Sequence, residues 1–286
     1  MTVNEQNTLL PFLFERLKEQ SRTSVKSLLK YGRVKVNGKS VTKFDLPLQQ
    51  GDIVEISAER ENNSQFYHPL MKIIWMDADL VVIYKAEGLL SVSGSPAQKY
   101  SAYSILLNYL ESLHPRNKLY ILHRLDKGTS GVMMFARTLE AQQILRGDWS
   151  NMITERTYVA VTEGHPPRVE DTVVTYLSEN RRQRVYCTDP GNGKEAISHY
   201  RVIAGNGQYS LLELTLETGR KNQIRVQMEF LGCPVAGDRK YNAKTDPCGR
   251  LMLHAKTLRF IHPITGEEMN FEYPPPKEFY ELCDKI

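Results

Sequence analysis

LHRLDKGTSGVMMFAR, residues 122–137, carries Arg124, Asp126 and Lys127 toward the apolar run Val132-Met133-Met134-Phe135. Four apolar residues in succession, between Gly131 and Ala136, predict a buried strand. The charged triplet then stands at the edge of a core. A carboxylate in such a place loses its hydration at large cost unless other groups replace the water. The partner of Asp126 has to come from elsewhere in the chain.

Working outward, apolar runs at Ile73–Met76 and Leu80–Tyr84 flank Asp77-Ala78-Asp79, which suits a hairpin. SAYSILLNYLESL and TLEAQQILRGDW predict helices, and YVAVTEG, ISHYRVIAG, YSLLELTLET and NQIRVQMEFLG add strands or short helices. Strands outnumber helices, and short turns join many of them. The expected fold class is α+β, a mixed and largely antiparallel sheet. SENRRQRVYCTDPGNGKEA, residues 178–196, reads as an exposed hairpin or loop over a binding cleft. Arg181, Arg182 and Arg184 there either clamp RNA phosphates or form an exposed basic turn.

The chain's 286 residues leave room for a second, smaller unit before this one. LLPFLFERLKEQ places Leu10, Leu13, Phe14 and Leu17 at helical spacing. Ser21 is a plausible cap for a second helix that Gly32 stops. RVKVNGKSVT then sets Val34 and Val36 on one side of a strand, followed by an Asn37-Gly38 turn and a return through Val41. AERENNSQFYHP is polar and aperiodic, a linker. The expected division is residues 1–57, a linker at 58–70 and a large domain at 71–286.

The net charge of +4 is mild, but it is unevenly spread. Between Ser21 and Phe44 stand seven basic residues and no acidic one. A face of one sign suggests a polyanionic partner, most simply nucleic acid. The four cysteines form no C-x-x-C pair and no zinc-finger spacing, which fits a reducing compartment. No secretory signal and no run of ~20 apolar residues is seen, so a cytoplasmic protein without a membrane span is expected. No P-loop, dinucleotide fingerprint, metal motif or G-x-S-x-G elbow appears. Only Asp126 stands in a setting that demands explanation, and a reaction using one carboxylate and no cofactor fits that.

Two resemblances sharpen this. SRTSVKSLLKYGRVKVNGKSV, followed at a distance by LQQGDIVEI, resembles an S4 RNA-binding domain. It implies RNA contacts from Arg22, Lys26, Lys30, Arg33 and Lys35. HRLDKGTSG, residues 123–131, resembles the H-R-L-D-x-x-T-S-G signature of the RluA family of pseudouridine synthases. RTYVAVTEG and ETGRKNQIRVQMEFLGCPVAGDRKY resemble that family's second and third motifs, in the same order. VVIYKAEGLLSV and LHAKTLRFIHPITGE resemble its first and last blocks. The family often reads K-P-A-G where this chain has Lys85-Ala86-Glu87-Gly88. It often reads G-R-T-H-Q-I-R-V-H where this chain has Lys221, Asn222 and Gln227. The changed positions are expected to flank the cleft and to bear on the RNA target.

The resemblance implies conversion of uridine in RNA to pseudouridine without a cofactor. The N1–C1′ bond breaks, the base rotates, and C5 bonds to C1′. Asp126 is then the catalytic carboxylate, attacking C1′ or taking the C2′ proton. Arg225 is its counter-charge, its fork holding the carboxylate. Tyr158 offers a ring to the uracil and a hydroxyl near C5. His123 and Arg124 face the RNA backbone or base stack, with Arg124 able to fill the space of a flipped-out uridine. His254 is expected to be structural. An S4 unit beside such a domain implies large-subunit ribosomal RNA as partner, with transfer RNA as the other possibility, and a monomer. The competing readings are a non-catalytic RNA-binding or ribosome-assembly protein on a retained scaffold, and a glycosidase with a second carboxylate facing Asp126.

Overall fold

A computed structural model of the chain describes residues 1–18, 22–30, 34–41, 43–56, 66–94 and 100–284. The chain packs as two units, residues 1–66 with 109–117, and residues 67–108 with 118–286.

In the first unit, β1 (Asn7–Thr8) leads into α1 (Leu9–Arg16), and α2 (Arg22–Lys30) follows. Then come β2 (Val34–Val36), β3 (Lys39–Val41), β4 (Pro47–Leu48) and β5 (Val54–Ile56). β2 is the middle strand of a three-stranded antiparallel sheet between β3 and β5. Asn37 and Gly38 both take positive φ, as a two-residue hairpin turn requires. The buried face of α1 is Leu9, Phe12 and Leu13, while Leu10, Phe14 and Leu17 are only partly buried. This face is rotated from the expected one. The helix begins at Leu9, early enough for Pro11 to fall in the first turn, where its missing N–H costs nothing. Val25, Leu28 and Leu29 of α2 pack with Val34, Val36 and Val54 in the same core. Arg22 and Lys26 are exposed, and the Arg22 guanidinium lies 5.4 Å from the Phe14 ring centre. Lys35 is partly exposed. Arg33, the Lys30 side chain, the expected cap Ser21 and the expected stop Gly32 lie outside the described residues.

The second unit runs β6 (Met71–Met76), β7 (Leu80–Lys85), α3 (Ala102–Leu113) as far as Asn108, β8 (Tyr120–Ile121), β9 (Ser130–Ala136), α4 (Leu139–Gly147) and α5 (Trp149–Met152). It continues with β10 (Ile153–Glu163), β11 (Glu170–Glu179), β12 (Val185–Thr188), β13 (Lys194–Gly205), β14 (Tyr209–Leu216), α6 (Gln223–Phe230), β15 (Leu253–Ile261), β16 (Glu268–Glu272) and α7 (Glu278–Glu281). One sheet orders its strands β12-β11-β13-β14-β10-β15-β9-β7-β6, with β16 on β15 and β8 on β9. Every pair is antiparallel except β9 with β15. The fold is therefore the mixed, largely antiparallel α+β class expected. Every residue of β9 is buried, as its apolar run requires.

The parallel pairing of β9 with β15 places the Asp126 loop. Gly131 stands opposite Ala255 at φ +126, and a Cβ there would lie 2.1 Å from the Ala255 carbonyl oxygen. Only glycine lets the two backbones approach so closely. Asp77-Ala78-Asp79 does turn β6 into β7. Asp77 Oδ1 accepts the N–H groups of Asp79 and Leu80, and Oδ2 accepts from His262 Nε2 at 2.9 Å. Among the described residues, no helix is long and apolar enough to cross a membrane.

Candidate active site

The loop between β8 and β9 is pinned before it reaches Asp126. The Ser91 hydroxyl donates to the Leu125 carbonyl at 2.7 Å and accepts the Leu125 N–H at 3.0 Å. The Asp126 carbonyl accepts the Thr129 N–H. Lys85, fully buried at the end of β7, donates to the carbonyls of Ala86 and Leu89 at 2.9 Å and of Lys127 at 3.5 Å. Burial pushes this ammonium down to about 7, against the opposing charges of Asp126 and Glu87. A lysine in an otherwise apolar strand raises the same question as Asp126, and its answer is a cage of carbonyls beside the loop.

Arg225 reaches Asp126 from the third position of α6. Gln223 fixes the helix start: its side-chain oxygen accepts from the Arg220 N–H and the Thr218 hydroxyl, and its amide donates to Ile197 and Ser198 on β13. Arg225 Nη1 then donates to Asp126 Oδ2 at 2.8 Å and to Asn222 Oδ1 at 3.2 Å. The expected pair exists, but the fork is not on Asp126. Nε and Nη2 clasp Asp238 at 2.6 and 2.8 Å. Asp238 has 1% of its side chain exposed, Asp126 30% and Arg225 13%. Burial alone would lower the guanidinium, but Asp238 first and Asp126 second raise it above its ordinary value. Asp238 is thus the anchor and Asp126 the carboxylate left open to the cleft.

Sequence reasoning quoted the Gly237-Asp238 pair without giving it a task. The signal was available in the turn glycine: Gly237 has φ +79, and a Cβ would lie 2.0 Å from the Arg250 carbonyl oxygen. Tyr241, fully buried, was missed as well. The Arg225 guanidinium lies 4.9 Å from its ring centre, and its hydroxyl accepts from Asn222 Nδ2 at 2.8 Å. Asn222, where the family often has His, adopts φ +54, a conformation Asn tolerates better than most residues. Gln227, the other expected cleft-flanking departure, is buried instead. It donates to Val173, Thr175 and Ala196 and accepts from Ser198.

A cleft of about 1320 Å³ opens over Asp126 and is lined also by Tyr158, Arg124, His123, Arg156 and Lys221. Asp126, Tyr158 and Arg225 also line a smaller pocket that shares Asp126 and Tyr158 with the cleft. Tyr158 on β10 is half-buried. Burial, then the Asp126 charge, raises its phenol, with Arg156 opposing. A resting phenol is therefore what Tyr158 offers. Arg124 is exposed. His123 is turned inward: its Nε2 accepts the Met134 N–H at 3.0 Å, and its ring tilts on Trp149 at 5.5 Å. Burial, with the Arg156 charge, holds it down at about 4. It is neutral at pH 7 and is no cationic phosphate contact.

Arg181 and Arg182 are exposed at the tip of the β11–β12 hairpin. The hairpin is tied down by Lys221 to Glu179, Arg184 to Glu229 at 2.7 Å, and Lys240 to the Gln183 carbonyl at 3.0 Å. His254 is fully buried between the Ser130 hydroxyl and the Tyr273 carbonyl, a structural histidine as expected. Among the described residues, Asp77, Asp79 and His262 are the group with metal-like spacing. Their atoms are already engaged within the fold: Asp77 holds the β6–β7 turn, Asp79 accepts from Thr138, and His262 Nδ1 accepts from Ile264 and Thr265 in the β15–β16 turn.

An open carboxylate clamped by an arginine, beside a phenol and under a basic cleft, suits an enzyme that works on a polyanion. The comparisons agree. The RNA pseudouridylate synthase model matches residues 79–230. The chain is 33% identical over 281 residues to an uncharacterized RNA pseudouridine synthase, YlyB, of Bacillus subtilis, covering 96% of this chain and 92% of the relative. It is 32% identical over 289 residues to ribosomal large subunit pseudouridine synthase D of Escherichia coli K12, covering 95% and 88%. The structure of human RNA pseudouridylate synthase domain containing 4 superposes with a TM-score of 0.59 at 25% identity, over 73% of this chain and 90% of that one. This chain belongs to the RNA pseudouridylate synthase family.

Proposed function

We propose that this RNA pseudouridine synthase isomerises uridine in large-subunit ribosomal RNA, with Asp126 as its catalytic carboxylate, Arg225 as the counter-charge and Tyr158 beside the uracil. The observation that carries the reading is the 2.8 Å contact between Arg225 Nη1 and the one cleft-facing carboxylate of the pair that Arg225 holds. An ionised carboxylate can attack C1′ or take the C2′ proton, and both routes release N1 from C1′. The base turns and C5 bonds to C1′, breaking the Asp126–C1′ ester in the first route or, in the second, with Asp126 returning its proton to C2′; the C5 proton then leaves and N1 takes a proton. Atoms balance without oxidant or cofactor. Tyr158 packs on the detached base, and its neutral hydroxyl acts near C5 as a hydrogen-bonding group. The glycosidase reading lacks support, because both oxygens of Asp238 are engaged by Arg225.

Ribosomal RNA as the target rests on the relatives named for the large subunit. Residues 1–57 act in this proposal as an S4-like RNA-binding domain, joined by a linker at 58–70 to the catalytic domain. Arg22, Lys26, Lys30, Arg33 and Lys35 supply its phosphate contacts, and Arg181 and Arg182 add a clamp. Arg124 fills the space of the flipped uridine. The enzyme works as a cytoplasmic monomer. Asp126→Asn keeps size and removes charge, so it should abolish isomerisation while RNA binding stays within a few-fold. Turnover comparable to the parent would sink the mechanism. Mapping pseudouridines with and without the gene tests the target, and loss of a transfer-RNA site alone would overturn the ribosomal assignment.

A further inference from the structure

The cleft is larger than one uridine needs. Its volume is about 1320 Å³, against roughly 300–1,000 Å³ for pockets that enclose a small ligand. Beyond Asp126 its wall is formed by His123, Tyr120, Arg146, Trp149 and Arg156. None of these takes part in the proposed chemistry.

Local structure explains why they gather there. α4 ends at Gly147, and the chain turns at Asp148 directly into α5. Trp149 is therefore half-buried, packed on the core of β7, β9 and β15 on one side and left at the cleft on the other. Arg146, in the last turn of α4, is exposed, and its side chain has no hydrogen bond or ion pair among the described residues. Because His123 Nε2 accepts from Met134, its proton sits on Nδ1, which has no partner among the described residues. Arg156 is anchored by Nη2 to the carbonyls of Leu216 and Glu217. Gly219 leaves room for it, since a Cβ there would lie 2.5 Å from Nη1.

The charges left without an ion-pair partner have one sign. Of the carboxylates lining the cleft, Asp126 is paired with Arg225 and Glu179 with Lys221. Arg124, Arg146, Arg156 and Arg220 line it with no carboxylate partner among the described residues. Aromatic faces within a basic groove recognise unpaired nucleotides, whose bases are free to stack. A duplex hides those faces.

We propose that Trp149, His123 and Arg146 form a second nucleotide subsite, holding an unpaired nucleotide next to the target in the same RNA strand. Its base stacks on the indole, His123 Nδ1–H donates to a base carbonyl, and Arg146 meets its phosphate. The subsite rests on the assignment of the Asp126 pocket as the one that takes the target uridine.

The chain has two tryptophans, Trp75 and Trp149. Trp75→Phe keeps a ring against Phe271, 5.5 Å away, and leaves Trp149 as sole reporter. Titration of this full-length variant with pentauridylate should quench the Trp149 emission to saturation. Arg146→Gln, at an exposed position, should move the midpoint about fivefold to weaker binding and lower its salt slope by about 0.7. Trp149→Leu, which removes the reporter and is therefore titrated by calorimetry, should weaken binding of the same probe about fivefold or more. No quenching up to millimolar pentauridylate, or a midpoint unmoved by Arg146→Gln, overturns the subsite. The quench should persist in Asp126→Asn. Full turnover in that variant with the quench intact would remove the catalytic assignment and leave the subsite standing.

Discussion

Arg225 presents the Nε and Nη2 edge of its guanidinium to Asp238 and only Nη1 to Asp126. The two carboxylates therefore have different tasks. Asp238, with 1% of its side chain exposed, orients the arginine. Asp126 faces the cleft with its remaining oxygen free of any arginine contact.

Stability should follow Asp238. Arg225→Met strands a buried carboxylate, a loss on the order of 3–5 kcal/mol. Adding Asp238→Asn should recover much of it, because the unpaired charge is gone. Adding Asp126→Asn should recover little, since Asp126 can turn to water. Urea unfolding of the three variants checks this. Equal recovery by both second substitutions would mean that the two carboxylates share the arginine evenly.

The pH dependence of folding should carry a histidine signature. Burial holds His123 and His254 at about 4 in the folded chain, against about 6.5 when unfolded. The folded state keeps them neutral while the unfolded chain takes up protons. Their stabilisation is complete above about pH 6.5 and is lost as the pH falls toward 4. Each contributes a slope of up to about 1.4 kcal/mol per pH unit in that window. His254→Gln should show a shallower decline than the parent between pH 6.5 and 4. Parallel curves for the two proteins would contradict it.

Gly131→Ala should be among the most damaging single-methyl changes available. The added Cβ meets the Ala255 backbone at a positive φ, where no side-chain rotamer relieves the clash. A loss on the order of 4 kcal/mol or more is expected, read as a lower urea midpoint. Gly88→Ala, also at positive φ but with nothing within 4 Å of the new Cβ, should lose far less. Similar losses at both positions would show that backbone strain and not the β9–β15 contact sets the requirement.

RNA affinity should depend on the exposed cations of the first unit. Arg22→Gln with Lys26→Gln removes two charges from its surface. The slope of log affinity against log salt should fall by about 1.4, at about 0.7 per phosphate contact with a single strand. Turnover at saturating RNA should not change. An unchanged slope would remove RNA binding from this unit.

The buried strand, the hairpin at Asp77–Asp79, the helices α3 and α4 and the largely antiparallel sheet were all legible in the residues. Each depends on local periodicity, which a run such as Val132–Phe135 displays within a few positions. That Asp126 needed a partner was legible too, since desolvation acts on one residue at a time. Which atoms met it was not. Arg225 lies 99 residues beyond Asp126 and 13 before Asp238, and only the packing of α6 beside the β9 loop decides how three donor atoms divide between two carboxylates. The inward turn of His123, the carbonyl cage of Lys85 and the place of Trp149 in the cleft belong to the same class. They depend on the order of strands across the sheet, because a side chain's partners are set by which backbones lie beside it, and periodicity carries no record of that.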